Sequence, residues 1–239
     1  MKRSQIAMLI LAGVIILVVL IVMALGRIAI GKTLNTPPVE SSVEWTPSGD
    51  EVSKKLKLSD FDSVVVEAVW KVRISCSDEF STEIYYPSNM EDLMDVRVRG
   101  NQLVLGIKGD QSYSDTDLTT VINMPSLSEI SIDGAADISF SGFDEDELSI
   151  SIDGAANIEG SESKVEKLKV GVDGMGKVDL SAVPAVDARV DLNGAGNIRL
   201  QMNGGVLDGS LEGMGNIIYS GIVSDEKIRI DGLGRVRAE

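Results

Sequence analysis

The chain has 239 residues, of which 44% are hydrophobic but only 4% aromatic, so its core must be built mainly from aliphatic side chains. It carries 22 basic and 37 acidic residues, and its formal net charge of −15 excludes nucleic acid as a partner because both would be negative. There is no histidine, and Cys76 is the single cysteine, so the usual general base and the common zinc ligands are missing. Cys76 ends an alternating segment and is predicted to be a small buried residue. Composition therefore favours a binding or structural protein over an enzyme.

The first segment, residues 1–26, is predicted to be a transmembrane anchor. From Ile6 to Leu25 the chain has twenty consecutive uncharged residues, and a helix of that length spans the roughly 30 Å hydrocarbon core of a bilayer. A cleaved signal peptide is the alternative, although its apolar stretch is usually about 7–15 residues long. Because long domains cross membranes largely irrespective of their charge, the rest of the chain is expected outside the cytoplasm, in the periplasm or at the cell surface.

The next segment, residues 27–55, is predicted to be a linker. It contains three prolines scattered among serine, threonine and glycine, a composition typical of extended connecting segments. The remaining residues, 56–239, are predicted to form one domain.

The domain is expected to begin with irregular coils over residues 56–125. Apolar and polar residues alternate there in five short runs, which predict strands at 63–68, 71–75, 82–86, 95–99 and 103–107. Their spacing is less regular than that of the segment that follows. Terminal coils of solenoids are typically irregular because they cover an otherwise exposed core.

A short motif occurs six times in the regular part, residues 126–239. It reads IDGAADI at 132–138, and its copies begin at positions 152, 172, 192, 211 and 230, a nearly constant interval. The first glycines of the copies are Gly134, Gly154, Gly174, Gly194, Gly213 and Gly232. Apolar and polar residues alternate on both sides of each glycine, which is the period of a strand with one buried face. Each copy therefore predicts two strands joined at a glycine corner, which make one coil of a solenoid.

Coils of this kind stack in parallel about 4.8 Å apart, so equivalent residues form columns. The two columns predicted to point inward are Ile132, Ile152, Val172, Leu192, Leu211 and Ile230, and Ile138, Ile158, Val178, Ile198, Ile217 and Val236. The period exceeds the roughly 18 residues that three hexapeptides give in left-handed solenoids. The sequence thus predicts an all-β, right-handed parallel β-helix, in which the corner glycines supply a positive φ and room for the adjacent coil.

Two polar columns accompany the glycines. The first is Asp133, Asp153, Asp173, Asn193, Glu212 and Asp231, and the second is Asp137, Asn157, Lys177, Asn197, Asn216 and Arg235. Carboxylates stacked at this spacing repel one another, so the first column either extends into solvent and hydrogen-bonds the turns, or holds calcium at Asp133, Asp153 and Asp173. No other cofactor is expected. Three asparagines in the second column predict an amide ladder, a structural role.

The C-terminal coil is expected to end the stack and to leave an unpaired strand edge. Its charges, Arg229, Arg235, Arg237 and Glu239, are expected to discourage another chain from extending the sheet. The alternative is that three arginines on an acidic body form a salt-sensitive docking surface for a second copy of the chain.

Two stretches resemble a known bacterial family. They are FDSVVVEAVWKVRIS and YYPSNMEDLMDVRVRGNQLVLGIKG, followed by the DGAxxI coils and by GxGNI at 194–198 and 213–217. Together they resemble the family described as putative auto-transporter adhesin, head GIN domain, over residues 56–239. The resemblance implies a right-handed β-helix in a secreted or envelope protein, and it supplies no catalytic residues.

Three functions remain open at this point. The favoured one is a membrane-anchored, non-catalytic, adhesin-like interaction module outside the cytoplasm, with an envelope protein or a glycan as its ligand. A polysaccharide-active enzyme is the second, but it would need paired carboxylates in a cleft or a metal site, whereas the carboxylates here follow the repeat. A structural or accessory subunit of an envelope assembly is the third.

Overall fold

The computed structural model describes residues 48–109 and 118–239, which are built almost entirely from β-strands. The predicted anchor, Ile6 to Leu25, lies outside the described residues, as does most of the predicted linker. None of the described residues belongs to a helix that is long and apolar enough to span a bilayer.

Eighteen strands and one short 3₁₀ helix make up the described part of the chain. The strands are β1 (Glu51–Leu56), β2 (Ser63–Val66), β3 (Val69–Cys76), β4 (Ser81–Pro87), β5 (Met94–Arg99), β6 (Gln102–Ile107), β7 (Thr119–Met124), β8 (Glu129–Ile132), β9 (Ala135–Ser141), β10 (Asp144–Ile152), β11 (Ala155–Ser161), β12 (Lys164–Val172), β13 (Met175–Leu192), β14 (Ala195–Asn203), β15 (Val206–Leu211), β16 (Met214–Ile222), β17 (Asp225–Ile230) and β18 (Leu233–Ala238), and the 3₁₀ helix is Ser88–Leu93. The five strands predicted in the irregular part correspond to β2 to β6. Strand β1 begins at Glu51, inside the segment predicted to be linker.

The strands form two parallel stacks whose members alternate along the chain. One stack runs β6, β2, β8, β10, β12, the second half of β13, β15 and β17. The other runs β7, β3, β9, β11, the first half of β13, β14, β16 and β18. One strand from each stack makes one coil, and we number the regular coils 1 to 6 from β8–β9 to β17–β18. The predicted parallel β-solenoid is confirmed, whereas its handedness stays a prediction.

The N-terminal end of the solenoid is closed by antiparallel strands. Strand β5 pairs with β6, β4 pairs with β7, and β1 pairs with β4, all antiparallel. The coil β2–β3 is stacked between β6–β7 on one side and β8–β9 on the other, although β4 and β5 separate it from β6–β7 in sequence. These pairings cover the last layer of the core, which is the role expected of irregular terminal coils.

The predicted inner columns form the core of coils 1 to 5. From Ile132 to Leu211 and from Ile138 to Ile217, every member is at most 1% exposed. The prediction is wrong for Ile230, which is 47% exposed because no further coil covers coil 6 within the described residues. For the same reason Val236 is only half-buried.

Cys76 is exposed, contrary to the prediction of a buried residue. It is the last residue of β3, where the alternation of buried and exposed side chains has already ended.

The corner glycines are required by the close approach of successive backbones. None of the six first glycines has a φ in the left-handed region, so the expected positive φ is wrong. A Cβ on Gly154 would lie 1.8 Å from the carbonyl oxygen of Gly134, and one on Gly194 would lie 1.9 Å from that of Gly174. The same oxygen of Gly134 accepts a hydrogen bond of 2.9 Å from the Ala155 N–H. Each corner therefore touches the corner before it, and only a residue without a side chain fits there.

Candidate functional site

A column of apolar side chains lies on the outer surface, directly after the corner glycines. Its members, which we call the apolar face, are Val69, Ala135, Ala155, Met175, Ala195, Met214 and Leu233, and the parallel register places them side by side. The larger ones are well exposed: 46% for Val69, 65% for Met175, 59% for Met214 and 78% for Leu233. A contiguous exposed apolar surface on a strongly acidic protein marks a candidate contact site.

The apolar face borders a shallow open groove of about 560 Å³. The floor of the groove consists of small residues, among them Ala136, Ala156 and Gly176, and its far side is polar. Beside the floor, a Cβ on Gly196 would lie 2.0 Å from the carbonyl oxygen of Gly176. The close stacking of the coils therefore leaves no room for a side chain at position 196.

The first polar column flanks the apolar face on one side. Asp133, Asp153 and Asp173 are all exposed at their predicted places in line. Asp173 accepts a hydrogen bond of 2.8 Å from the Asn193 amide. Among residues 48–109 and 118–239, no three acidic, cysteine or histidine side chains are grouped so that they could hold a metal ion. The calcium hypothesis has no support in this geometry, which fits the alternative of solvated side chains.

The second polar column flanks the apolar face on the other side and forms one amide-to-amide bond of the predicted ladder, together with an amide-to-carboxylate bond. The Asn157 amide donates to Asp137 at 3.0 Å, and the Asn216 amide donates to the Asn197 side-chain oxygen at 2.8 Å. Both bonds join successive coils, so this column helps to hold the stack together.

The cations in the second column differ from most others on the coils. Lys177 and Arg235 make no close ion pair with any described residue, whereas Lys164 lies 2.8 Å from Asp144 on the preceding coil. Likewise Arg229 lies 2.5 Å from Glu212 and 2.7 Å from Asp231, and hydrogen bonding to both carboxylates raises its pKa. Lys177 and Arg235 are thus two exposed cations next to the apolar face with no carboxylate within 4 Å among the described residues, and Asp179 interacts with Lys177 from beyond that distance.

The repeat contains a sequence signal for the apolar face. In all six copies of the motif the residue after the first glycine is apolar: Ala, Ala, Met, Ala, Met and Leu. This apolar residue comes two positions after the first polar column and two positions before the second, as Met175 does between Asp173 and Lys177. In a strand that spacing puts it on the outer side, where alternation alone predicts a polar residue.

The C-terminal coil leaves apolar residues uncovered among the described part of the chain. Ile222, Ile230 and Leu233 are 72%, 47% and 78% exposed. Arg229 is paired as described above, and Arg237 lies 3.1 Å from Glu239. The strand edge and its charges are those expected from the sequence, whereas the exposed aliphatic groups beside them are not.

We expect the double variant Arg229→Ser, Arg237→Ser to associate end to end at raised concentration, because the exposed Ile230 edge loses its flanking cations. Sedimentation velocity over a concentration series measures this, with Arg199→Ser, an exposed arginine away from the end, as the control. A variant that is more monomeric than the parent would show instead that these arginines dock a partner.

The arrangement defines the class of the protein as a parallel β-solenoid with an outward-facing column of apolar residues. A family model described as putative auto-transporter adhesin, head GIN domain, matches residues 60–183, and the chain belongs to that family. The predicted resemblance is thereby confirmed.

A solved structure shows the same fold at low sequence identity. It is a putative adhesin from Bacteroides fragilis, 21% identical with a TM-score of 0.66, and the match covers 82% of this chain and 100% of the other. Two others are less similar. A putative adhesin from Parabacteroides merdae is 19% identical with a TM-score of 0.49, covering 82% and 98%, and a putative cell adhesion protein from Clostridium sporogenes is 14% identical with a TM-score of 0.30, covering 80% and 100%. A comparison with curated proteins finds no match.

Proposed function

We propose that the protein is a non-catalytic, adhesin-like interaction module that the segment Ile6–Leu25 anchors in the membrane, with the solenoid outside the cytoplasm. The observation that supports this is the apolar face, whose large side chains are exposed from Val69 to Leu233. An outer surface of this kind is suited to contact with another macromolecule, because burying exposed methionine and leucine side chains releases free energy.

The distribution of carboxylates argues for binding rather than catalysis. A glycosidase needs two carboxyl groups converging on one bond, about 5–10 Å apart across a cleft. Here Asp133, Asp153 and Asp173 form a line along the outside of the solenoid, and each is solvent-exposed. The chain also has no histidine for general base catalysis at neutral pH.

The proposed location is supported by the N-terminal sequence and the family together. The twenty uncharged residues from Ile6 to Leu25 are long enough to span a bilayer, and the family is named for adhesins. An envelope protein or glycan is the class of ligand that such a location offers.

The proposal is tested by binding the full-length protein, reconstituted in vesicles, to isolated bacterial envelopes. We expect Met175→Asp to reduce binding strongly, because it puts a charge in the middle of the apolar face. The matched control is Ile222→Asp, which changes an apolar residue of 72% exposure away from the face and should leave binding unchanged. Equal binding by both variants, or product release from a polysaccharide panel, would overturn the proposal.

We further expect the mature protein to keep residues 1–25 and to stay in the membrane fraction after a carbonate wash. The reason is the length of the apolar segment, which exceeds that of a typical signal peptide. N-terminal sequencing of the purified protein decides the matter. A soluble form that begins near residue 27 would contradict the anchor.

A further inference from the structure

We infer that the apolar face is covered by a second copy of this chain, packed side by side with the two solenoid axes parallel and equivalent coils opposite each other. The inference rests on the proposed function and deepens it: the envelope protein that contacts the apolar face is another copy of the chain in the same membrane.

In two coils, opposite charges stand on the two sides of the apolar face along the strand direction. In coil 3, Asp173 lies two residues before Met175, and Lys177 lies two residues after it; all three are exposed. Coil 6 repeats the pattern with Asp231, Leu233 and Arg235. The apolar face thus has acids on one side and, at these two coils, cations on the other.

A two-fold axis that runs along the apolar face brings these opposite charges together. It places Asp173 of one copy against Lys177 of the other, and it does so twice because the relation is mutual. Coil 6 gives the same pairing between acid and arginine, and coil 4 places an amide against an amide. Coil 1, with Asp133 and Asp137, is the one regular coil that sets acid against acid. The attraction between opposite charges strengthens as the contact loses water.

The antiparallel alternative is much less favourable. A two-fold axis across the face at coil 3 would set Asp173 against Asp173 and Lys177 against Lys177. Like charges at an interface cost free energy and select against that orientation. The apolar residues alone would accept either orientation, so the charges decide.

The two cations support a partner in another chain. Neither Lys177 nor Arg235 has a carboxylate within 4 Å among the described residues, although the chain carries 37 acidic residues; Asp179 interacts with Lys177 only from beyond that distance. In the parallel pair both cations gain a carboxylate, and the large exposed side chains at Met175 and Met214 become covered by their counterparts.

The size of the face sets the strength of the contact. Seven column residues about 4.8 Å apart extend over about 29 Å, and a width of four residues adds about 13 Å. That area is roughly 400 Å² per copy, below the roughly 800 Å² per partner of a standard interface. Pairing should therefore be weak in dilute solution and favoured when two copies share one membrane, which raises their effective concentration. Parallel axes suit this setting because both capped ends then point the same way.

Disulfide cross-linking tests both the partner and the orientation. The full-length protein carries Cys76→Ser, which removes the exposed native thiol, together with Met214→Cys, and is reconstituted in vesicles and mildly oxidised. In the parallel pair the two new thiols lie opposite each other. In the antiparallel pair they would be four coils, about 19 Å, apart, which a disulfide cannot bridge. The control is Ile222→Cys in the same background.

We expect the Met214→Cys protein to form dimers, and the Ile222→Cys protein to form about tenfold fewer. Adding Lys177→Glu should weaken pairing by about tenfold, since two attractions become repulsions and about 1.4 kcal/mol is a factor of ten. A further Asp173→Lys should restore it, because the exchanged charges are again opposite. Circular dichroism checks that each variant is folded.

Other outcomes overturn the inference. Equal cross-linking at positions 214 and 222 would indicate random collision, and dimers only from a mixture of Ala135→Cys and Met214→Cys chains would indicate antiparallel packing. If Met214→Cys gives no dimer while Met175→Asp still abolishes envelope binding, the second copy is excluded and the proposed function stands. If Met175→Asp has no effect either, both fail.

Discussion

Replacing Gly154 with alanine should destabilise the solenoid by roughly 3–5 kcal/mol, a cost typical of severe steric conflicts. The new Cβ would lie 1.8 Å from the Gly134 carbonyl oxygen and 2.8 Å from its carbon. Both partners are backbone atoms held in the stack by hydrogen bonds, so no side-chain rotation relieves the clash, and the two coils must separate. Urea denaturation of the full-length protein in detergent, followed by circular dichroism, measures the loss.

The matched control for this substitution is Gly171→Ala, on strand β12. A Cβ there meets nothing within 4 Å, and the φ of Gly171 is outside the left-handed region. We expect the stability to stay the same or rise slightly, because alanine reduces the conformational freedom of the unfolded chain. If both variants lose the same stability, glycine at the corners is not explained by close approach.

Val172→Asp should be comparably damaging, by several kcal/mol, because it buries a charge without a partner. Val172 is 0% exposed and stands in register between Ile152 and Leu192 in the middle of the stack. The neighbouring change Asp173→Asn provides the control, since an asparagine oxygen still accepts the Asn193 hydrogen bond and one charge leaves an acidic column. We expect that change to stay within about 0.5 kcal/mol. Equal losses of stability in the two variants would mean that the inward-facing and outward-facing columns have been assigned incorrectly.

The Val172→Asp variant should also acquire a distinctive pH dependence. Burial raises the pKa of the new carboxyl group above its unfolded value of about 3.9. The penalty is then fully present above the folded pKa, and it shrinks as the pH falls from there toward the unfolded pKa, because the folded state binds the proton more tightly. Denaturation curves between neutral pH and about pH 4, compared with those of the parent protein, test this sign.

The solenoid could be predicted because six copies of one motif report the same geometry. A single alternating segment around Ile152 would predict a strand and nothing about its neighbours. Recurrence at a nearly constant interval fixes which residues are stacked, so Ile152 and Val172 are identified as neighbours from the repeat alone. The amide contact between Asn216 and Asn197 follows from the same register.

The N-terminal cap could not be predicted in the same way, because its strands have no repeat. Alternation located β2 to β6, but pairing partners depend on packing that a single sequence does not encode in its period. The predicted burial of Ile230 in coil 6 was wrong for a related reason. Ile230 has the alternating pattern of a core residue, but its burial depends on whether another coil covers it. For Gly154 the sequence indicated a special backbone requirement but could not separate a positive φ from a close approach.

The apolar face lay within reach of sequence reasoning. The outward position of Met175 follows from the same alternation that placed Asp173 and Lys177 outside. What misled the interpretation was the small size of alanine in the first two copies, Ala135 and Ala155, which is unremarkable on any surface. Only the exposed fractions of the larger side chains, such as Met175, show that they are uncovered on the outer surface.

The placement of coil β2–β3 has a consequence for the order in which the chain can fold. This coil needs β6–β7 on one side and β8–β9 on the other, so Val69 meets its partner Ala135 only across a loop that contains β4 to β8. From coil 2 onward each partner is a single repeat away, as for Ala155 and Met175. Contacts between residues distant in sequence form slowly, because closing a long loop costs conformational entropy before the strand pairing can stabilise it. We therefore expect the N-terminal layers to close more slowly than the regular coils stack, because partners in the regular coils are one repeat apart.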